Sequence, residues 1–253
     1  GTSGFVGPAG DPMLFKNKEE FHWRARDLAK YLVAKNLKKG FIVAVNTDWG
    51  HESSKTFSKY AAQAGIEIQK AVSFDEHTEE FSSLLAQARQ LKPDFIFMAS
   101  QQLDEQVAFL RAYRQLGFKT QLVGESTWTE DVAEKIGWDI MDGMLTATPW
   151  VPSNPRAEVQ EYVKKYRATY GSIPGFNGPP AYDVVLITAK AFEKAGSLDK
   201  EKVREVLRNT KFENLVYGDG SYRFDKNGQA EFDIAITMFD AKKKQRVLAP
   251  KVN

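Results

Sequence analysis

Ile42-Val43-Ala44-Val45, running directly into Asn46-Thr47-Asp48-Trp49-Gly50, decides how the rest of the chain is read. Consecutive apolar, mostly β-branched residues ahead of a polar turn form a short buried strand and the loop that leaves it. The same kind of run recurs at Ile66-Glu67-Ile68, Phe95-Ile96-Phe97-Met98, Leu122-Val123 and Met144-Leu145-Thr146. Their starts lie roughly 22–29 residues apart, about one strand-plus-helix unit each. Between the runs, Phe81, Leu84, Leu85, Ala88 and Leu91 share one helical face, as do Phe109, Ala112, Tyr113 and Leu116. Gly65 and Gly117 stand where such helices stop, and Pro93 separates a helix from the next strand. Alternating β and α units predict an α/β fold with a parallel sheet covered on both faces.

The rhythm stops near Pro149. Asn154-Pro155 reads as an N-cap with proline at the first helical position, opening a helix to about Tyr170. Gly171 to Pro180 reads as a glycine–proline loop, Ala181 to Ala195 as a second helix, and Ser197 as the cap of a third. No strand separates these helices, so their sheet must come from elsewhere. Beyond Gly218 the chain turns β-rich: Tyr222-Arg223-Phe224 and Phe232-Asp233-Ile234-Ala235-Ile236 flank the turn Lys226-Asn227-Gly228. At the other end, Gly1, Gly4, Gly7 and Gly10 mark a loop, with Met13-Leu14-Phe15 as a candidate short strand. Orphan helices and an opening loop together predict that an N-terminal segment precedes this sequence.

Composition narrows the function classes. The chain has 253 residues, 42% apolar and 27% charged, near globular averages, which excludes disordered and collagenous classes. No run approaches the roughly 18 apolar residues of a spanning helix. Thirty-five basic against thirty-three acidic residues give +2, with nothing to favour nucleic acid or an anionic membrane. Without cysteine there is no disulfide, thiolate chemistry or cysteine–zinc site. His22, His51 and His77 share no metal-ligand spacing, so no metal and no cofactor is expected. Lys242-Lys243-Lys244 reads as a solvated turn.

An ordered series of stretches carries a family likeness. These are Gly1-Thr2-Ser3 leading to Met13-Leu14-Phe15; Val43-Ala44-Val45-Asn46-Thr47-Asp48-Trp49-Gly50; and Phe81-Ser82-Ser83-Leu84-Leu85 before Lys92-Pro93-Asp94. The series continues with Phe109-Leu110-Arg111, Leu116-Gly117-Phe118 and Leu122-Val123-Gly124, then Tyr166 to Gly171, Ala181-Tyr182-Asp183 and Phe224 to Gly228. In this order and spacing the sequence resembles the type I periplasmic binding proteins. The branch is that of the leucine/isoleucine/valine-binding proteins of ABC importers. The resemblance implies two Rossmann-like lobes with parallel sheets and a small solute between them. It implies that residues 1–15 end a first-lobe segment and crossover, and that 16–147 form the second lobe. It likewise assigns 148–220 to the C-terminal part of the first lobe and 221–253 to strands returning to the second. The first lobe is then incomplete in this chain. The early strands and the signal peptide fall in the preceding segment.

Ligands of open α/β sheets sit at the carboxyl ends of the strands, which selects the post-strand loops as site candidates. Trp49 follows the first strong strand and offers a rigid aromatic wall, where the family commonly has tyrosine; packing against its loop is the plainer reading. Gln101 and Gln102 follow the third run and offer amide donors and acceptors, or simply a solvated helix start. Glu125 and Ser126 follow Leu122-Val123-Gly124. The family places an acid in this loop to pair an α-ammonium, but Glu125 is shifted by one residue, and Ser126 stands in the acid's place. The family also uses a Thr/Ser turn like Thr2-Ser3 for the ligand's head group, and a cleft residue near Phe176 or Asn177; an ordinary turn is the plainer reading of each.

The resemblance implies an extracytoplasmic, periplasmic solute-binding subunit. It would be a monomer that captures a small amino acid or related organic acid, presents it to a membrane ABC permease, and catalyses nothing. A ligand-sensing ectodomain or regulator with the same fold is the alternative, separable only by flanking sequence. A nucleotide-fold enzyme would need a phosphate loop, and Gly4-Phe5-Val6-Gly7 fits neither G-x-G-x-x-G nor the P-loop. There is no G-x-S-x-G nucleophile elbow either.

Overall fold

The structure, a computed structural model, describes residues 6, 7 and 10–252. In chain order the elements are α1 (Phe21–Ala34), β1 (Lys39–Val45), α2 (Asp48–Ala64), β2 (Glu67–Phe74), α3 (Ser82–Leu91), β3 (Phe95–Ala99), α4 (Leu103–Gln115) and β4 (Gln121–Gly124). They continue as α5 (Glu130–Ile136), α6 (Trp138–Met141), β5 (Leu145–Thr148), α7 (Ala157–Tyr170), α8 (Gly178–Ala195), α9 (Lys200–Asn209), β6 (Ala235–Asp240) and β7 (Gln245–Leu248). The chain divides into two compact units. A helical unit combines the chain through Glu20 with Pro152–Ile234, and a sheet unit combines Phe21–Val151 with Ala235 onward.

The sheet unit holds one seven-stranded sheet in the order β2-β1-β3-β4-β5-β6-β7. The five apolar runs found in the sequence supply the five parallel strands. Successive residues of a strand face opposite ways, and both faces are covered. On one face Phe41, Val43, Ile96 and Met98 join a core with Phe81 and Leu85 at α3 and Phe109 and Tyr113 of α4. On the other, Phe57 of α2 stacks on Phe97 at 4.2 Å and meets Phe95 edge-on at 6.0 Å. The helix stops expected at Gly65 and Gly117 are present, with φ of 87° and 65°. The lysine run 242–244 is the exposed turn between β6 and β7.

The C-terminal strands differ from the sequence expectation. Tyr222–Phe224 and Phe232–Ile236 do not pair as a hairpin. The Asp225 side chain accepts the N–H groups of Asn227 and Gln229 at 2.8 and 2.9 Å, closing the turn so tightly that only the bridge Phe224–Ala230 follows. The true strand starts at Ala235, and β6 and β7 extend the parallel sheet by antiparallel pairing. Met13-Leu14-Phe15 is not a strand; the neighbouring Lys16 makes a single bridge to Gln229. Helix starts also shift. Asn154 caps an irregular turn by accepting the Arg156 N–H, so α7 opens at Ala157. Helix α8 opens earlier than expected, at Gly178, because prolines at its first positions forfeit no helical bond. Asp199, not Ser197, caps α9, accepting the N–H groups of Glu201 and Lys202.

The helical unit has no strand among its described residues, only bridges at Lys16–Gln229, Phe212–Tyr222 and Phe224–Ala230. Its core contains Val159, Ile187, Phe212, Leu215, Tyr217 and Tyr222. Two side chains, buried Asp183 and half-buried Arg156, shape the loop after α9. Asp183 of α8 accepts the N–H groups of Val216 and Tyr217 at 3.0 and 2.8 Å. Arg156 donates to the carbonyls of Leu215, Val216 and Gly218. Gly220, at φ 91°, is required here, since a Cβ would stand 1.9 Å from the Arg156 guanidinium.

Burial raises the Asp183 carboxyl above the ordinary aspartate value of 3.8, despite the two N–H groups that favour its ionised form. The folded state therefore holds this proton after the unfolded chain has released it. Asp183 thus costs stability progressively as pH climbs from 3.8 through the raised folded value. Urea unfolding of wild type and Asp183→Asn across this range should show the difference moving in favour of the Asn variant as pH rises. A pH-independent difference contradicts the assignment.

Candidate functional site

Parallel strands all end on one edge, so the sheet unit gathers its post-strand loops there. The order 2-1-3-4-5 reverses direction between β1 and β3, the topological switch point where open α/β sheets bind ligands. Asn46 to Trp49 leave β1, Ser100 to Gln102 leave β3, and Glu125 to Thr129 leave β4.

After β1, Thr47 is extended and caps α2, its hydroxyl accepting the Gly50 N–H at 3.3 Å. Trp49 thereby falls in the first turn of α2. It is half-buried, packs on the unit's core and lies 5.9 Å from the Phe21 ring. Gly50 permits this close approach, because a Cβ there would sit 1.9 Å from the Val45 carbonyl oxygen.

After β3, Ser100 organises the loop. Its hydroxyl accepts the Gln102 N–H at 3.1 Å and donates to Glu105 at 2.6 Å. Its carbonyl accepts from Gln106 and from the Thr127 hydroxyl. The other Glu105 oxygen accepts the His77 N–H at 3.0 Å, which ties in the loop after β2. Gln101 and Gln102 are exposed, Gln102 as the N-cap residue of α4.

After β4, Glu125 and Ser126 are buried. Glu125 Oε2 receives Arg24 of α1 at 3.1 Å from Nε and 2.9 Å from Nη2. Its Oε1 accepts the Ser53 hydroxyl of α2 at 2.5 Å. The loop is also held from β7. Fully buried Arg246 donates to the Trp128 carbonyl at 3.2 Å and faces Glu130 at 3.6 Å. Trp128 in turn donates to the Met98 carbonyl at 3.0 Å.

The sequence-selected residues Trp49, Gln101, Gln102, Glu125 and Ser126 thus share one edge of one unit. Phe176 and Asn177 belong to the helical unit, where Lys18 reaches both: its ammonium lies 4.3 Å from the Phe176 ring centre and 2.8 Å from Asn177 Oδ1. Thr2 and Ser3 lie outside the described residues. Arg24 and Ser53 were missed by sequence reasoning. One signal was available: Arg24 sits on the buried stripe Phe21, Ala25, Leu28, Leu32 of α1, and a cation on such a stripe needs an anionic partner. Its partner's position, 101 residues on, carried no signal. The burial-driven pKa shifts fall away from this edge. Tyr113 is pushed up to about 12, and Tyr162 and Tyr222 of the helical unit are also raised. Among the described residues no acidic–histidine group has the makings of a metal site, and no helix is long and apolar enough to cross a membrane.

The family profile described as periplasmic binding protein matches residues 1–245. The chain belongs to the periplasmic binding protein family. The leucine-, isoleucine-, valine-, threonine- and alanine-binding protein of Pseudomonas aeruginosa is 25% identical over 190 residues, 74% of this chain and 49% of that protein. The chain therefore spans about half the length of the curated relatives it matches most extensively. Among solved structures, a leucine-binding protein of Thermotoga maritima matches with TM-score 0.80 and 25% identity, over 96% of this chain and 69% of that one. A solute-binding protein of an R. palustris ABC transporter, in complex with benzoate, matches with TM-score 0.84 at 19% identity, over 94% and 64%; this likeness shows the fold.

Removing one partner of a buried ion pair strands the other charge. Arg24→Ala and Glu125→Ala should each lower the unfolding free energy by about 3–5 kcal/mol, whereas the apolar pair Arg24→Met with Glu125→Leu should recover much of the loss. Denaturant titration of the four proteins measures this, and additive single losses would show that the two side chains do not act as a pair.

Proposed function

We propose that this chain is the binding part of an extracytoplasmic solute-binding subunit of an ABC importer. It takes a small amino acid or related organic acid at the carboxyl edge of its sheet unit and passes it unchanged to a membrane permease. The observation that carries this reading is the convergence of Trp49, Gln101 and Gln102 on the loops around the β1/β3 switch point, in a chain of this family. Trp49 supplies an apolar surface for the solute's side chain, and the glutamine amides supply polar partners. Binding rather than chemistry follows from what surrounds the reactive-looking groups. Ser53 and Ser100 each donate to a carboxylate held in a structural network. The protein acts as a monomer outside the cytoplasm.

Calorimetric titration of the full chain with a panel of amino acids and small carboxylates tests the reading. At least one should bind with 1:1 stoichiometry, and Trp49→Ala should weaken it by about 2 kcal/mol, the scale of an aromatic anchor. Unchanged affinity in a folded Trp49→Ala protein makes Trp49 a packing residue. Mass spectrometry of the ligand after prolonged incubation should recover it intact; product in excess of protein defeats the non-enzymatic reading.

A further inference from the structure

We infer that Phe21, the first residue of α1, is a positioning residue for the solute site, because it holds the Trp49 ring in the orientation that a solute meets. The inference rests on the solute-binding reading above, in which Trp49 is the apolar wall. A wall already fixed in place favours binding, since a side chain that the ligand must order costs affinity. The tryptophans of the two post-strand loops are fixed differently. Trp128, fully buried after β4, is pinned by its indole N–H, which donates to the Met98 carbonyl at 3.0 Å. Trp49 is half-buried, and among the described residues its indole N–H donates to no partner. Its orientation therefore rests on packing, against the unit's core and against the Phe21 ring. The two rings lie 5.9 Å apart between centroids, tilted by 58°. That separation falls within the range of about 4.5–7 Å at which aromatic pairs attract.

Phe21 is itself held. It is 5% exposed, and Arg24 stands three residues on, on the same face of α1. The Arg24 guanidinium lies 4.8 Å from the centre of the Phe21 ring, within reach of a cation–π contact. The same guanidinium is bonded to Glu125 in the loop after β4. Trp49, Phe21, Arg24 and Glu125 thus form a continuous row of contacts from the loop after β1 to the loop after β4. Ser53, four residues along α2 from Trp49, joins the far end of that row back to α2 by donating to Glu125 at 2.5 Å. The first turn of α1 therefore holds both loops, one through each of two side chains. Replacing Phe21 by a residue without a ring removes the one aromatic contact that Trp49 makes among the described residues, and frees the indole to turn.

A double-mutant cycle on affinity tests the inference, using a solute of the calorimetric panel that binds the full chain. Phe21→Leu removes the ring but keeps an apolar side chain of similar volume. Its fold is checked by far-UV circular dichroism and its unfolding midpoint, and Phe21→Met takes its place if that check fails. The Phe21 variant should weaken binding about fivefold in the wild-type background and less than about twofold in the Trp49→Ala background, because the ring through which it acts is then gone. Near-UV circular dichroism supplies a readout that needs no solute. The difference between wild type and Trp49→Phe isolates the Trp49 indole, and the same difference taken in the Phe21 variant should be largely lost. Equal weakening in both backgrounds, weakening in neither, or an unchanged indole signal makes Phe21 an ordinary core residue; each overturns the inference and leaves the solute-binding reading intact. Wild-type affinity in Trp49→Ala removes the wall that Phe21 positions and overturns the inference at its premise. Binding of no solute in the panel overturns the solute-binding reading itself and this inference with it.

Discussion

Five strands running the same way impose a condition that the rest of the sheet unit obeys. Each of the first four must be followed by a crossover, so their post-strand loops open on one edge and the helices that follow begin there. Both faces of the sheet must also be covered, which is why the central strands β1 and β3 are almost wholly apolar and why Phe57 on one side and Phe81, Leu85 and Phe109 on the other are buried. With the core occupying both faces, polar chemistry is confined to the edges.

At the carboxyl edge, that confinement produces a rigid framework rather than loose loops. Ser100 accepts, donates and is held through its carbonyl, linking the loops after β3 and β4. Glu105 draws in the loop after β2, and Arg246 reaches from β7 to fix the loop after β4. Arg24 and Ser53 bring α1 and α2 onto the same loop through Glu125. Buried charges of this kind add little net stability, but once one partner is present the other becomes obligatory, which locks the loop geometry. Trp49, Gln101 and Gln102 stay outside this framework, half-buried or exposed, and are the side chains still available to a solute.

The helical unit solves a different problem with similar means. Its described residues form no strand, so the loop after α9 cannot satisfy its backbone by sheet pairing. Asp183 takes two of its N–H groups and Arg156 three of its carbonyls, doing from side chains what a neighbouring strand does elsewhere. The ordering carries an electrostatic cost, visible in the raised Asp183 carboxyl. Exposed Val184, Val185 and Phe192 on α8 contrast with the closed core of the sheet unit.

Local sequence determined the α/β alternation, the five parallel strands and the helix stops at Gly65 and Gly117, because periodicity and left-handed glycine turns are short-range properties. It also located the loops after β1, β3 and β4, since a parallel sheet leaves only one edge on which a strand followed by a helix can open. Tertiary structure decided what those loops contain. Whether Glu125 stands free or paired depends on Arg24, 101 residues away, and whether Glu105 is available depends on the His77 backbone. The C-terminal strands were misplaced for the same reason. The Tyr222–Ile236 stretch has strand composition throughout, but only Ala235 onward lies beside an unpaired edge, that of β5. Composition states what a segment can pair with; the edge left open by the rest of the fold decides which residues do.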